Sequence, residues 1–584
     1  MHKTGKPDAR DDGHHGIQSK LPITAADAFL DRLGELGIDT IFANAGTDFP
    51  PIVEALSRAA SRGRMIKALA VPHENLAVSM AYGHYLASGK PQVVMLHVNV
   101  GTANATCALM NAFRERIPLI VAAGLTPYTE TGHTTSRSLF IHWAQEMFDQ
   151  RGIVRETVKW DHEISIAEQM YPAIDRAMSI ATSEPKGPVY LTLPREMLAS
   201  EVAASSKPAM QPPARRIVAE PSSIEAAAAM LAGAERPLIV TASIGHNKDA
   251  VLALGSLAER FAIPVVSHFP KSLCLPTSHP MHLGYAPGSL VAEADVIVVL
   301  ECDVPWIPMK VSPQKTAKVI HMGHDPLFVR YGIRNFPCDI ALPGDTALML
   351  PLLEASISSI VGTADLERIK ARRKALAIRA RANRDAADAL YNRVKGDHPI
   401  HPATLTREIN RIKKPEDILI NELGIQIDHI DLAVPGTYFQ QSSAGGLGWG
   451  LGAALGLKLA APDRLVIAAI GDGSYMLGNP TPAHYMSQAL GLPVLFIVTN
   501  NGGWGSVWNE TKAIYPEKYV ATNDDMPLTM LKPSPHFERV VEASGGYGER
   551  VERIDQLRPA LERAVHAVKV EKRQALVNVL CQML

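Results

Sequence analysis

The sequence predicts an α/β protein built from three doubly wound parallel-sheet domains. Three observations carry that expectation. Short apolar runs of strand length alternate with longer helical patterns along the chain, the signature of parallel strands joined by crossover helices. The alternation breaks twice, at a Ser-, Ala- and Pro-rich stretch over 200–216 and at a charged helical stretch over 365–395. The length of 584 residues also exceeds what one hydrophobic core organises, and roughly three ordinary domains account for it.

Taken in order, residues 1–20 are polar and lack the apolar centre of a signal peptide. They read as a flexible tail, and His14–His15 within it as solvated rather than metal-binding. A first domain, 21–196, has expected strands at 40–43, 93–97, 119–123 and 189–193, with a further short strand before Glu74. After the linker, a central domain over 217–356 has strands at 238–241, 264–267, 296–300 and 319–322. A helical linker over 357–400 follows, charged and rich in Ala and Arg, with no Pro or Gly between 365 and 395. The last domain, 401–584, places strands at 418–421, 465–470, 494–499 and 576–579. The first and last sets could be distant duplicates, which pattern alone does not establish.

Composition narrows the function. Apolar residues make up 47% and charged residues 20%, a globular balance. The net charge of −1 provides no overall basic field for nucleic acid or anionic lipid. The five cysteines are scattered without a C-x-x-C pair, which argues against a disulfide framework or structural zinc and fits a reducing cytoplasm. No apolar run approaches the ~18–20 residues of a membrane span.

The most informative stretch lies in the last domain. One apolar strand runs straight into Gly471-Asp472-Gly473-Ser474, and the next into Asn500-Asn501-Gly502-Gly503. In a parallel sheet both loops emerge at the carboxyl ends of their strands, where ligands bind. Glycine lets the backbone approach a ligand, and amides there cradle phosphate oxygens. Asp472, Asn501 and a carbonyl at Gly503 offer hard oxygens of the partial kind that Mg²⁺ completes with phosphate and water. Either loop alone is an ordinary turn.

Together the two loops resemble the thiamine diphosphate motif, in which GDG is followed by NN. The resemblance implies Asp472, Asn501 and Gly503 as Mg²⁺ ligands, with Gly471, Gly473 and Ser474 beside the diphosphate. Upstream, the glycine-rich turn through Gly445 and Leu447 resembles the segment before GDG in the benzoylformate decarboxylases and acetolactate synthases. It implies that Leu447 props the cofactor into its V shape and that the Gly445 carbonyl faces the aminopyrimidine amine. In the first domain, Glu74 follows a short strand and opens an Ala-rich helix. A Glu there is ordinarily a dipole partner. In the family that place holds the carboxyl group that shares a proton with pyrimidine N1′, which favours the 4′-imino tautomer, so that the exocyclic imino nitrogen can take the thiazolium C2 proton.

Two more features look substrate-facing. Thr47 takes the place of a serine in the benzoylformate decarboxylases, and His97 matches a histidine there that acetolactate synthases lack. A histidine at a strand end is suited to proton donation. The family's second active-site histidine has no counterpart in the stretch around Trp306, which leaves substrate identity open. Trp504, Ser506, Trp508 and Glu510 are expected on a helix near the pocket. The family also carries FAD, ADP or CoA in its central domain. The segments 243–248 and 321–325 could accept a nucleotide, but FAD is possible rather than indicated.

The motif pattern is closest to the benzoylformate decarboxylases. It implies decarboxylation of a 2-oxo acid with release or transfer of the acyl unit, with aldehyde or acyl-CoA as further substrates and a homodimer or homotetramer as the working form. An acetolactate-synthase-like transferase and a 2-hydroxyacyl-CoA lyase are the alternatives.

Overall fold

The structure, a computed structural model, describes residues 23–63, 66–203, 208–519 and 525–583. The expected N-terminal tail, with His14 and His15, lies outside the described residues. Three parallel sheets organise the rest. The first holds β1 (Thr40–Ala43), β2 (Lys67–Ala70), β3 (Gln92–Leu96), β4 (Leu119–Leu125), β5 (Asp161–Glu163) and β6 (Val189–Pro194), in the order β2-β1-β3-β4-β6-β5. The second holds β7 (Pro237–Thr241), β8 (Val265–Ser267), β9 (Val296–Leu300), β10 (Lys318–Gly323) and β11 (Ile340–Pro343), in the order β11-β10-β9-β7-β8. The third holds β12 (Ile418–Glu422), β13 (Tyr438–Gln440), β14 (Val466–Gly471), β15 (Leu495–Asn500), β16 (Tyr547–Val551) and β17 (Ala575–Leu580), in the order β13-β12-β14-β15-β17-β16. The first and third sheets therefore wind identically, which the sequence pattern left open.

The central strands are apolar on both faces because helices cover both. Along β4, Leu119, Val121 and Ala123 enter one core while Ile120 and Ala122 enter another, the two-residue alternation of a strand buried on both sides. One of these cores is shared between domains. It joins Leu76 and Met80 on the Glu74–Ser88 helix to Leu451 and Leu455 on the Trp449–Ala460 helix. Glycines let the two helices touch: a Cβ at Gly83 would come within 2.1 Å of the Ala453 carbonyl oxygen.

The charged helix between the second and third domains runs from Thr363 to Val394. It is strapped to the second domain, with Arg372 donating to the carbonyls of Ala234, Phe261 and Ala262. Among the described residues, no helix is long and apolar enough to cross a membrane.

Candidate active site

Nine of the residues singled out in the sequence line one cavity of about 300 Å³ at the carboxyl ends of β14 and β15: Leu447, Gly471, Asp472, Gly473, Ser474, Asn501, Gly503, Trp504 and Ser506. Asp472 opens a short helix directly after β14 and is buried. Its Oδ1 accepts the Gly473 N–H at 2.9 Å, and its Oδ2 accepts those of Gly502 and Gly503 at 2.8 and 3.2 Å. One carboxylate thereby ties the two loops together. Burial pushes Asp472 up to about 6 against these amides, so a cation beside it would favour the ionised form. Asn501 Oδ1 accepts the Gly503 N–H at 3.0 Å, and the Gly503 carbonyl accepts that of Gly505 at 3.1 Å. Ser474 Oγ is buried without a hydrogen-bond partner. An orphaned hydroxyl beside glycine-lined space, with a lone buried carboxylate and two amide-type oxygens, fits a diphosphate held through a hard cation. Among the described residues no three His, Cys, Asp or Glu side chains converge as a metal site, so a cation here would draw on the anion's own oxygens.

The turn carrying Leu447 is anchored from three directions. Glu422, fully buried at the end of β12, accepts the amides of Gly448, Trp449 and Gly450 at 2.7, 3.2 and 2.7 Å. Burial lifts its carboxyl to about 7 despite these bonds. Asn111 brackets Gly446, donating to its carbonyl at 2.7 Å and accepting its N–H at 3.1 Å. Glu115 accepts the Ser443 N–H at 3.2 Å. Gly445 sits at φ +76, and its carbonyl accepts the Leu447 N–H at 2.9 Å.

A second group gathers in the first domain, where Thr47, Glu74 and His97 follow the adjacent strands β1, β2 and β3. Glu74 is buried at the start of its helix, which His73 caps by accepting the Asn75 N–H. Its Oε2 accepts from Asn104 at 3.0 Å. His97 Nδ1 meets Asp48 Oδ1 at 2.5 Å, and Nε2 lies 3.1 Å from the Gln145 amide nitrogen. The bond to Asp48 raises the His97 pKa, burial opposes it, and the charges of Asp48 and Glu74 add to the rise. Thr47 Oγ1 lies 3.2 Å from His142 Nε2, while His142 Nδ1 accepts the Ser138 N–H at 3.1 Å. A backbone amide only donates, so Nδ1 is the bare nitrogen and Nε2 carries the hydrogen. Burial, with Arg195 and Arg137, lowers the His142 pKa. Arg195 also holds the Thr47 carbonyl at 3.0 Å.

Sequence reasoning missed Asp48, His142 and Gln145. Asp48 adjoins Thr47, and a strand-end histidine calls for an acidic partner, so it carried a signal; the other two did not. The first group's cavity does not include Thr47, Glu74 or His97. One helix, Val98–Arg114, reaches both groups, with His97 immediately before it, Asn104 on Glu74 and Asn111 on Gly446.

Trp504 precedes the helix Gly505–Ile514 rather than lying on it, and its ring covers Gly473. Ser506 lines the cavity, whereas Trp508 carries Lys512 over its ring and no residue of that helix is buried. In the central domain, Glu301 at the end of β9 pairs with Arg116 at 3.0 Å and accepts the His324 N–H. Beside it lies a cavity of about 240 Å³ lined by Phe113, Arg114, Lys159, Phe328 and Tyr331.

Three parallel-sheet domains with a GDG loop facing an NN loop define a protein built to hold thiamine diphosphate. The chain belongs to the thiamine pyrophosphate enzymes: it matches their N-terminal TPP binding domain over residues 23–153, their central domain over 224–353 and their C-terminal TPP binding domain over 425–579. It is 25% identical to a sulfoacetaldehyde acetyltransferase of Castellaniella defragrans, covering 97% of this chain and 94% of that one. It is 28% identical to a benzoylformate decarboxylase of Pseudomonas aeruginosa, over 83% of this chain and 87% of that one. The solved 4-hydroxybenzoylformate decarboxylase of Rhodococcus jostii shares the fold with a TM-score of 0.75 at 23% identity, covering 96% of this chain and 99% of that one.

Proposed function

We propose that this chain is a thiamine diphosphate- and Mg²⁺-dependent carbon–carbon lyase or carboligase that takes a 2-oxo acid, releases CO₂ and passes the acyl unit to a proton or an aldehyde. The observation that carries the reading is the convergence of buried Glu74 and the Asp48–His97 pair on adjacent strand ends. Thiamine diphosphate, when bound, supplies the carbon that adds to the substrate carbonyl and accepts the electrons left by CO₂. In this reading Asp472, Asn501 and the Gly503 carbonyl hold Mg²⁺, and Gly471, Gly473 and Ser474 receive the diphosphate. Leu447 supports the cofactor's bend, the Gly445 carbonyl takes its amine, and Glu74 shares a proton with its pyrimidine ring. His142 donates to Thr47 Oγ1, which frees the Thr47 hydrogen for a substrate oxygen. His97, its Nδ1–H on Asp48, delivers a proton from Nε2.

The working form in this reading is a homodimer or a dimer of dimers, in which the Glu74 group of one chain meets the Asp472 group of another. Supporting this, the cavity around Asp472 excludes Glu74, and the segment carrying His142 and Gln145 turns Phe140, Trp143 and Phe148 outward as exposed aromatics. Light scattering that finds a catalytically competent monomer would contradict it.

Acyl transfer to a second acceptor is the alternative reading, and the similarity to an acetyltransferase supports it. The deciding experiment follows CO₂, aldehyde and carboligation products from a panel of 2-oxo acids, using protein stripped with EDTA and reloaded. Full turnover without cofactor or metal refutes the reading. Acetolactate from pyruvate alone moves the chain to the synthase class, and cleavage of a 2-hydroxyacyl-CoA without CO₂ from any 2-oxo acid moves it to the CoA lyases.

A further inference from the structure

The two nitrogens of His97 face partners of different kinds. Nδ1 lies 2.5 Å from Asp48 Oδ1. A carboxylate only accepts, so Nδ1 keeps its hydrogen whether the ring is neutral or charged. Nε2 lies 3.1 Å from Gln145 Nε2, a donor, which is the arrangement for a neutral ring with a lone pair at Nε2. The other end of the same amide is the anomaly: Gln145 Oε1 is buried and has no hydrogen-bond partner. A half-turn of the amide about its last bond exchanges its two ends. Oε1 would then face Nε2, an orientation that suits a ring carrying hydrogen on both nitrogens and no other.

We propose that Gln145 is a positioning residue for proton delivery by His97: its amide turns over with the ring's protonation, donating to the neutral imidazole and accepting from the imidazolium. Both states of the donor then keep a partner on each nitrogen, and the ring holds its aim through the proton transfer. This rests on His97 being the proton donor of the proposed reaction.

The surrounding charges favour such a two-state ring. Asp48, from the loop after β1, and Glu74, from the helix after β2, both act on His97 to raise its pKa. His142, on the same segment as Gln145, has its tautomer set by the Ser138 amide, and burial with Arg195 and Arg137 lowers its pKa. His142 therefore stays neutral beside Thr47 and does not compete for the transferred proton.

The test reads the His97 pKa without catalysis, through imidazole C2-hydrogen exchange on cofactor-free protein, followed on the His97 peptide by mass spectrometry across pH. Gln145→Leu removes both the acceptor for the charged ring and the donor to the neutral one; the bond to the charged ring is the stronger, so the His97 pKa should fall, by up to about one unit. Gln145→Glu supplies a permanent acceptor and should raise it by about one unit or more. In the loaded enzyme, the alkaline limb of aldehyde release should move in the same order, with CO₂ release into an aldehyde acceptor little changed. A His97 pKa that stays at the wild-type value in both variants overturns the proposal, whatever the activities do. A pKa that moves while the alkaline limb ignores it overturns instead the reading of His97 as donor, and the coupling of Gln145 to His97 stands.

Discussion

Replacing Gly83 with Ala tests the contact that sets the Glu74 helix against the helix that follows Leu447. In an exposed helix interior this change stabilises by about 1 kcal/mol, because Ala is the better helix former. Here a Cβ would fall 2.1 Å from the Ala453 carbonyl oxygen, which is backbone and cannot swing aside. Carbon–oxygen contacts settle near about 3.3 Å, so the helices must part by roughly 1 Å. Overpacking of this kind costs about 1–3 kcal/mol, which offsets the propensity gain of about 1 kcal/mol and leaves a net loss of up to about 2 kcal/mol. Global unfolding of three domains is not two-state, so the assay is native-state hydrogen exchange on peptides of Glu74–Ser88 and Trp449–Ala460. Exchange there should quicken by up to roughly 30-fold. Gly34 is the control: it lies in the helix Ala25–Glu35 with nothing within 4 Å of its would-be Cβ, so Gly34→Ala should slow exchange in its own helix. If Gly83→Ala slows exchange as Gly34→Ala does, the close approach of the two helices is wrong.

Three further outcomes are expected. Asp472→Ala removes the carboxylate that joins Gly473, Gly502 and Gly503, and calorimetric titration should find thiamine diphosphate and Mg²⁺ binding lost; wild-type affinity would remove Asp472 from the site. Glu74→Gln should still bind cofactor but slow exchange of its C2 proton by about 10²–10⁴-fold, which NMR after acid quench measures; an unchanged rate ends the assignment. Asp48→Asn removes the partner that raises the His97 pKa. Activity that needs the imidazolium is present below that pKa and lost as pH rises through it, so the alkaline limb of aldehyde release should move to lower pH; a limb that stays in place separates His97 from the proton transfer.

The sheet centres were legible in the sequence and four of the six sheet edges were not, for one physical reason. Strands such as β4, β9, β14 and β15 are covered on both faces and must be apolar throughout, so they stand out as runs. The strands missed, β5, β11, β13 and β16, all lie at or next to the open side of a sheet and pair with one neighbour. β5 is Asp-His-Glu and β16 is Tyr-Gly-Glu-Arg-Val, both half-buried, and nothing in such a segment distinguishes it from a loop. The Trp504 helix shows the same limit from another side. Trp504 was expected on a helix with Ser506, Trp508 and Glu510, but that residue turns back over Gly473 and the helix begins after it.

The site divides along a related line. Asp472 and Asn501 were readable because each directly follows a strand that announces itself, so the chain's own order places them at a sheet's carboxyl edge. Gln145 and His142 reach His97 and Thr47 across the fold, from a segment with no regular pattern, and their hydrogen bonds span separations of 48 and 95 residues. Asp48 lies between these cases. It adjoins Thr47 in sequence, yet its bond to His97 depends on β1 lying beside β3, with Ala43 registered against Met95. That adjacency comes from the crossover that places β2 outside β1 and returns the chain to β1's other edge. Strand spacing alone allows either edge. The residues proposed to hold the cofactor are thus encoded locally, whereas those proposed to handle the proton depend on winding. A substitution that shifts β1 against β3 should therefore disturb His97 while leaving the Asp472 loops intact, and cofactor affinity measured beside the His97 pKa would separate the two effects.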